Sequence, residues 1–293
     1  MGKRRDRFVI WMSVPIAALF ATTALAGVFW PPTYAQEKIK WALQGMAGDA
    51  VNLFVIVPVL LVSAILAYRG SIPAKLIWLG TLLCILYSSI FYALAVHFNQ
   101  LFFVYCGVLG LSFYAIAGSL SSVPLDEIAA RYGPRAPLKT TAVVLLLFAL
   151  LTAAQWMGQI VPALRSGTPP QEVVETGLFT HPAAVLDLST FLPALVICAV
   201  MLLRRKPIGF VLAPALMSAM VLMSFGIEAM AVEMCIKGFS SRSSVISFSS
   251  GLAAVCAVLC FLLVGFLRVR RNTAALPKDV EPREQRMCEI DPA

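Results

Sequence analysis

Apolar residues run through this chain in long unbroken blocks separated by short polar connections. About 20 consecutive apolar residues cross the hydrocarbon core of a bilayer. Eight blocks qualify, at roughly 8–30, 51–68, 76–97, 101–120, 141–163, 183–203, 207–233 and 244–267. Each is too long for a strand, and none shows the period-two alternation of a barrel. The pattern predicts an all-α polytopic membrane protein: one transmembrane domain over 1–271, built as an eight-transmembrane-helix bundle, and a polar, disordered tail at 272–293.

Within the connections, QEKIKWALQGM (36–46) places Ile39, Leu43 and Met46 on one face, which predicts a short helix lying at the interface. Thr168-Pro169-Pro170-Gln171 has the form of an N-cap, a proline at the first helical position and a glutamine at the third, with Gly177 ending the turn. LDEIAARYGPRAP (125–137) reads as a short amphipathic piece closed by Pro134.

Composition sharpens the class. The chain is 60% hydrophobic and 13% charged, against about 25% charged in soluble domains, so no soluble core holds this much apolar surface. The net charge of +8 would suit nucleic acid, but its placement argues for topology. With the N-terminus inside, the inner segments hold 18 Lys and Arg and the outer segments 5. That bias predicts both termini on the cytoplasmic side of the inner membrane, with membrane lipids as surroundings and no nucleic-acid partner. The start, MGKRRDR followed by apolar residues and Ala24-Leu25-Ala26, also has the form of a cleaved secretory signal. The apolar block continues to Trp30, long enough to span, and is taken as the first helix.

Two stretches echo each other. VNLFVIVP (51–58) and LDLSTFLP (186–193) align at a shift of 135, which also matches Asn52 with Asp187, Pro58 with Pro193 and Arg69 with Arg204. Halves at 8–120 and 141–267 would be parallel repeats about an axis along the membrane normal; chance similarity between apolar helices is the alternative. The two prolines predict kinks.

Polar residues collect at one end of the helices. The outer halves carry Asp49, Asn52, Tyr92, His97, Asn99, Tyr105, Thr152, Gln155, Gln159, His181, Asp187 and Glu228, while the inner halves are almost purely apolar. The expected feature is an outward-facing polar cavity with an apolar floor, lined by Asp49, Asn52, Tyr92, Asn99, Tyr105, Gln155, Gln159, Asp187 and Glu228. Asp187 is the sharpest residue. A carboxylate facing lipid costs about 2–3 kcal/mol or more, so it should face the bundle and find a partner. His97, His181 and Asp187 are candidates for acid–base chemistry. With Glu228 they are also candidate ligands of a divalent metal, although no HxxxH or HExxH spacing supports one and no other cofactor is expected. Cys256 and Cys260 have ordinary helix-packing spacing, and the methionines of 217–234 suit gap filling better than copper binding. No phosphate-binding or nucleophile motif appears in a supporting context. The pattern points to binding or transport of a small polar or amphipathic ligand. The alternatives are a membrane-embedded enzyme acting on a lipid-linked or extracytoplasmic substrate, and an accessory subunit without chemistry. Protein partners and oligomeric state are not legible in it.

Overall fold

The computed structural model describes residues 7–122, 125 and 137–267. The tail and most of the 125–137 segment lie outside these residues. Eight helices are long and apolar enough to cross a membrane, which marks the chain as an integral, multi-pass membrane protein. They are α1 (Arg7–Phe29), α2 (Ile39–Tyr68), α3 (Ile72–Leu94), α4 (Phe102–Ser122), α5 (Leu138–Ser166), α6 (Pro182–Leu203), α7 (Pro207–Ile236) and α8 (Arg242–Leu267). "Upper" below denotes the end that carries the α1–α2, α3–α4, α5–α6 and α7–α8 connections.

The centre of the molecule is the crossing of α3 and α7. Their most apolar windows are 56% and 67% buried within the protein, against 17% for α8. Gly80 permits the crossing: a Cβ there would stand 2.4 Å from the Ala215 carbonyl oxygen and 2.6 Å from Ser218 Cβ. Around this axis α1, α2, α3 and α4 pack as a closed ring. In its lower half the indole of Trp78 donates to Ser13 Oγ (2.7 Å), which donates in turn to the Val9 carbonyl (2.6 Å). On the other side α5 packs on α6, α6 on α7 and α7 on α8. The remaining side is different. The buried residues of α5 are Leu138, Thr141, Ala142, Leu145 and Ala149, and those of α8 are Leu259, Leu262 and Phe266. Both helices are thus anchored at their lower ends, where Gly265 faces Pro137, and their upper halves bury nothing.

Two helices share a local irregularity. α2 widens into a π-turn at Asn52–Ile56 and α6 into one at Asp187–Phe191. A proline follows each, Pro58 and Pro193. Proline has no N–H to give to the carbonyl four residues back and its ring crowds that carbonyl. The wide turn absorbs the misfit, and an i−5 bond from Val57 to Asn52 and from Leu192 to Asp187 continues each helix. Both helices then end in the same way. Gly70 (φ 86°) and Arg205 (φ 52°) take left-handed backbone, and their N–H groups bond back to Ala67 and Leu202.

Several expectations at the upper end are corrected. Residues 36–46 are not a separate interfacial helix; from Ile39 onward they are the first turns of α2, which continues unbroken to Tyr68. Nothing between Gln44 and Val51 stops a helix, and its polar groups find partners inside the bundle. Asp49 therefore lies within the helix, ten residues from its start. The short helix of the α5–α6 connection begins at Gln171, with Pro170 at its cap, and ends as expected at Gly177 (φ 76°).

Candidate functional site

Two carboxylates mark the upper half, one in each set of four helices, and they are held in different ways. Asp49 is completely buried. Tyr34, from a 3-10 turn at Pro31–Tyr34, donates to its Oδ2 at 2.6 Å, and Tyr92 of α3 donates to its Oδ1. Asn52 bonds the Tyr92 hydroxyl at 2.7 Å. Tyr105 stacks on Tyr92 with ring centroids 5.5 Å apart, and Asn99 reaches the Tyr105 hydroxyl at 3.3 Å. Gly27 of α1 lets the helix lie directly on the carboxylate, since a Cβ there would fall 1.6 Å from Oδ2. Burial, and after it the negative charge of Asp49, push the Tyr34 phenol well above its ordinary pKa, so that it remains a donor. Every member of this knot is satisfied, and it closes the first set of helices.

Asp187 is half-buried and faces a cavity. Tyr87 of α3 donates to its Oδ1 at 3.1 Å, and the Trp156 indole of α5 donates to its Oδ2 at 2.9 Å. A carboxylate offers about four acceptor positions, and these two donors leave the others directed to the cavity. Among the described residues no Lys or Arg pairs with Asp187. The His181 ring packs edge-on against Trp156 at 4.7 Å. Its Nδ1 accepts from the Ala184 N–H (3.3 Å) and caps α6. Nε2 then carries the proton in the neutral ring, and faces Glu172 at 3.1 Å.

The cavity has a volume of about 1240 Å³. Thr152, Gln155, Gln159 and Trp156 of α5 line one wall, Tyr87 and Tyr92 of α3 another, and Ser244, Phe248, Leu252 and Val255 of α8 a third. The short helix Gln171–Thr176 roofs it. Two lysines of α2 and its approach hold that roof down: Lys38 Nζ bonds the Val174 carbonyl at 2.8 Å and Lys40 Nζ bonds Glu175 at 2.6 Å. Hydrogen bonds from Lys40 and then Gln171 hold the Glu175 carboxyl below its ordinary pKa. A depressed carboxylate contributes stability above its unfolded pKa and loses it as pH falls through the folded value. Amide exchange over 171–176, corrected for intrinsic rates, should therefore show protection at pH 6 that is lost toward pH 3. Lys40→Met should remove that pH dependence; unchanged protection across the range in the wild type would show the clamp to be irrelevant.

The structure sorts the expected residues. Asn52, Tyr92, Gln155, Gln159, His181 and Asp187 do line the cavity. Asp49, Asn99 and Tyr105 belong to the sealed knot. Glu228 is not among the lining residues; it turns toward α8 and accepts from Ser249. His97 sits at the α3–α4 connection, where its N–H and Nδ1 both meet the Glu37 carboxylate, at 2.7 and 2.9 Å. His97, His181, Asp187 and Glu228 therefore have separate partners. Among the described residues no three His, Cys, Asp or Glu side chains gather to hold a metal ion. Sequence reasoning missed Tyr87, Trp156 and the Glu172 and Lys40–Glu175 pairs. Trp156 was detectable, lying between Gln155 and Gln159; Tyr87 gave no signal of its own.

Compared with known proteins, the chain matches no family model, no curated protein and no solved structure.

Proposed function

We propose that this protein binds a small amphipathic ligand in the upper-half cavity, and that the upper face is the extracytoplasmic side of a cytoplasmic membrane. The observation that carries the reading is Asp187: a carboxylate at membrane depth, oriented by Tyr87 and Trp156, lining a cavity and paired with no Lys or Arg among the described residues. An unpaired charge at such a position is expensive, and a ligand that completes its shell offsets that cost. Binding is favoured over transport because the cavity rests on a packed apolar floor that includes Leu145, Leu195, Cys198 and Leu202. It is favoured over acid–base catalysis because both nitrogens of His181 already have partners.

A 4+4 tandem arrangement supports the same reading. The two π-turns, the following prolines and the left-handed residues Gly70 and Arg205 all recur at the spacing of 135. The central crossing sets Gly80 against Ala215, at the same spacing. In such a pair the tyrosine knot buries the first carboxylate, Asp49, while the second, Asp187, faces a cavity that both halves line.

Native mass spectrometry of protein released from mild detergent tests the proposal. Wild type should carry a bound adduct of a few hundred daltons, and Asp187→Asn should lose it while unfolding within a few degrees of wild type. Absence of an adduct in wild type, together with no thermal shift from a panel of amphiphiles, would reject the reading.

A further inference from the structure

We infer that the ligand is an amphiphile with a protonated amine head, and that it reaches the cavity sideways from the upper leaflet, through the slot between α5 and α8. This rests on the cavity being a binding site. The charge of the head follows from the lining. Among the described residues, the acidic and basic side chains lining the cavity are Asp187, Glu172, Glu175, His181 and a single lysine, Lys40, which is already engaged by Glu175; the tyrosines and Cys84 beside them are neutral in their ordinary form. The balance is acidic. The rings nearest the carboxylate are Tyr87 and Trp156 themselves, with Phe191 6.1 Å and Phe91 5.2 Å from Tyr87. A carboxylate set among aromatic rings suits an organic cation, drawn first by the charge and then by any ring face it lies over. Each oxygen of Asp187 already accepts one donor, which leaves isolated acceptor positions for an ammonium rather than the parallel pair that a guanidinium fork seeks.

The route follows from the packing. From above, the cavity is roofed by the helix that Lys38 and Lys40 hold in place. From below it is closed by the apolar core. On its flank, the upper halves of α5 and α8 bury no residue, and both contribute lining side chains. The lining changes character along the slot: Thr152, Gln155 and Gln159 stand on α5 and Ser244 at the upper end of α8, while below Ser244 α8 offers Phe248, Leu252 and Val255. A head on Asp187 with its chain lying against α8 uses both. A water-soluble cation would gain nothing from that apolar edge.

The test uses the full-length protein in zwitterionic nanodiscs at pH 7. Thermal unfolding is followed with dodecylamine, dodecanol, dodecanoate and tetramethylammonium. Dodecylamine should raise the midpoint in a saturable way, and Asp187→Asn should weaken it at least tenfold. Dodecanol and dodecanoate should bind at least tenfold more weakly than dodecylamine to wild type. Leu252→Trp, which narrows the slot, should weaken dodecylamine without lowering the midpoint of the free protein. Equal binding of dodecanol or dodecanoate would overturn the ammonium assignment while leaving the cavity a binding site. Tetramethylammonium acting as strongly as dodecylamine would overturn the lateral route and leave a free organic cation as ligand. No shift with any of the four would remove the binding reading itself.

Discussion

Gly80→Ala should destabilise the protein by about 2–3 kcal/mol, in the range of overpacked cores, whereas Gly110→Ala should leave it unchanged or slightly more stable. The two residues sit in neighbouring apolar helices, and in an isolated helix alanine is favoured over glycine by about 1 kcal/mol. At Gly80 the new methyl meets the Ala215 carbonyl oxygen at 2.4 Å and Ser218 Cβ at 2.6 Å. The first contact is backbone and cannot swing aside. Accommodation requires α3 and α7, the two spans most buried within the protein, to separate. At Gly110 nothing lies within 4 Å of the added carbon. Thermal or denaturant unfolding of the two purified variants in the same detergent gives the comparison. Equal midpoints would mean that α3 and α7 do not cross at this glycine.

Asp49→Ala should cost more, about 3–5 kcal/mol, because it removes one acceptor group from two buried donors. The hydroxyls of Tyr34 and Tyr92 both point at Asp49, and a buried donor left without a partner costs about 1–3 kcal/mol. Asp49→Asn keeps one oxygen and should lose roughly half as much. Restoring apolar complementarity, by combining Asp49→Leu with Tyr34→Phe and Tyr92→Phe, should recover much of the stability, since a polar network replaced as a whole is often nearly neutral. The readout that separates the two carboxylates is ligand binding. Asp49 lies behind the cavity, so Asp49→Asn should unfold earlier yet bind normally. Asp187→Asn should unfold near wild type and fail to bind. A reversed pattern would place the functional carboxylate in the wrong half of the protein.

How much of this was legible beforehand differs by element. The eight apolar runs were plain, and their helices match them to within about four residues at every end but one. The one large discrepancy is α2. The stretch 36–46 reads as a surface helix because Ile39, Leu43 and Met46 share one face; Lys40, Gln44 and, just beyond, Asp49 are polar groups of this part of the chain. Inside the bundle they meet Glu175, the cavity and two tyrosines. Asp187 was legible as a residue in need of a partner, because a bare carboxylate facing lipid at that depth is costly whatever surrounds it in sequence. Its partners were not. Tyr87 and Trp156 come from helices 100 and 31 residues away in the chain, and aromatic residues are commonplace in membrane helices.

The length and composition of the apolar runs, together with the expense of leaving backbone groups unbonded in lipid, were enough to require a helical membrane protein with its polar groups gathered toward one end. Which face of each helix turns inward was settled only by packing. Lipid is as apolar as the protein interior, so the lower half of α7, buried at nearly every position, and the lower half of α8, largely exposed, carry the same apolar pattern. Whether a carboxylate ends up sealed, as Asp49 is, or facing a cavity, as Asp187 does, depends on that choice. A closing neighbour lies against one, and the helices beside the other stand apart.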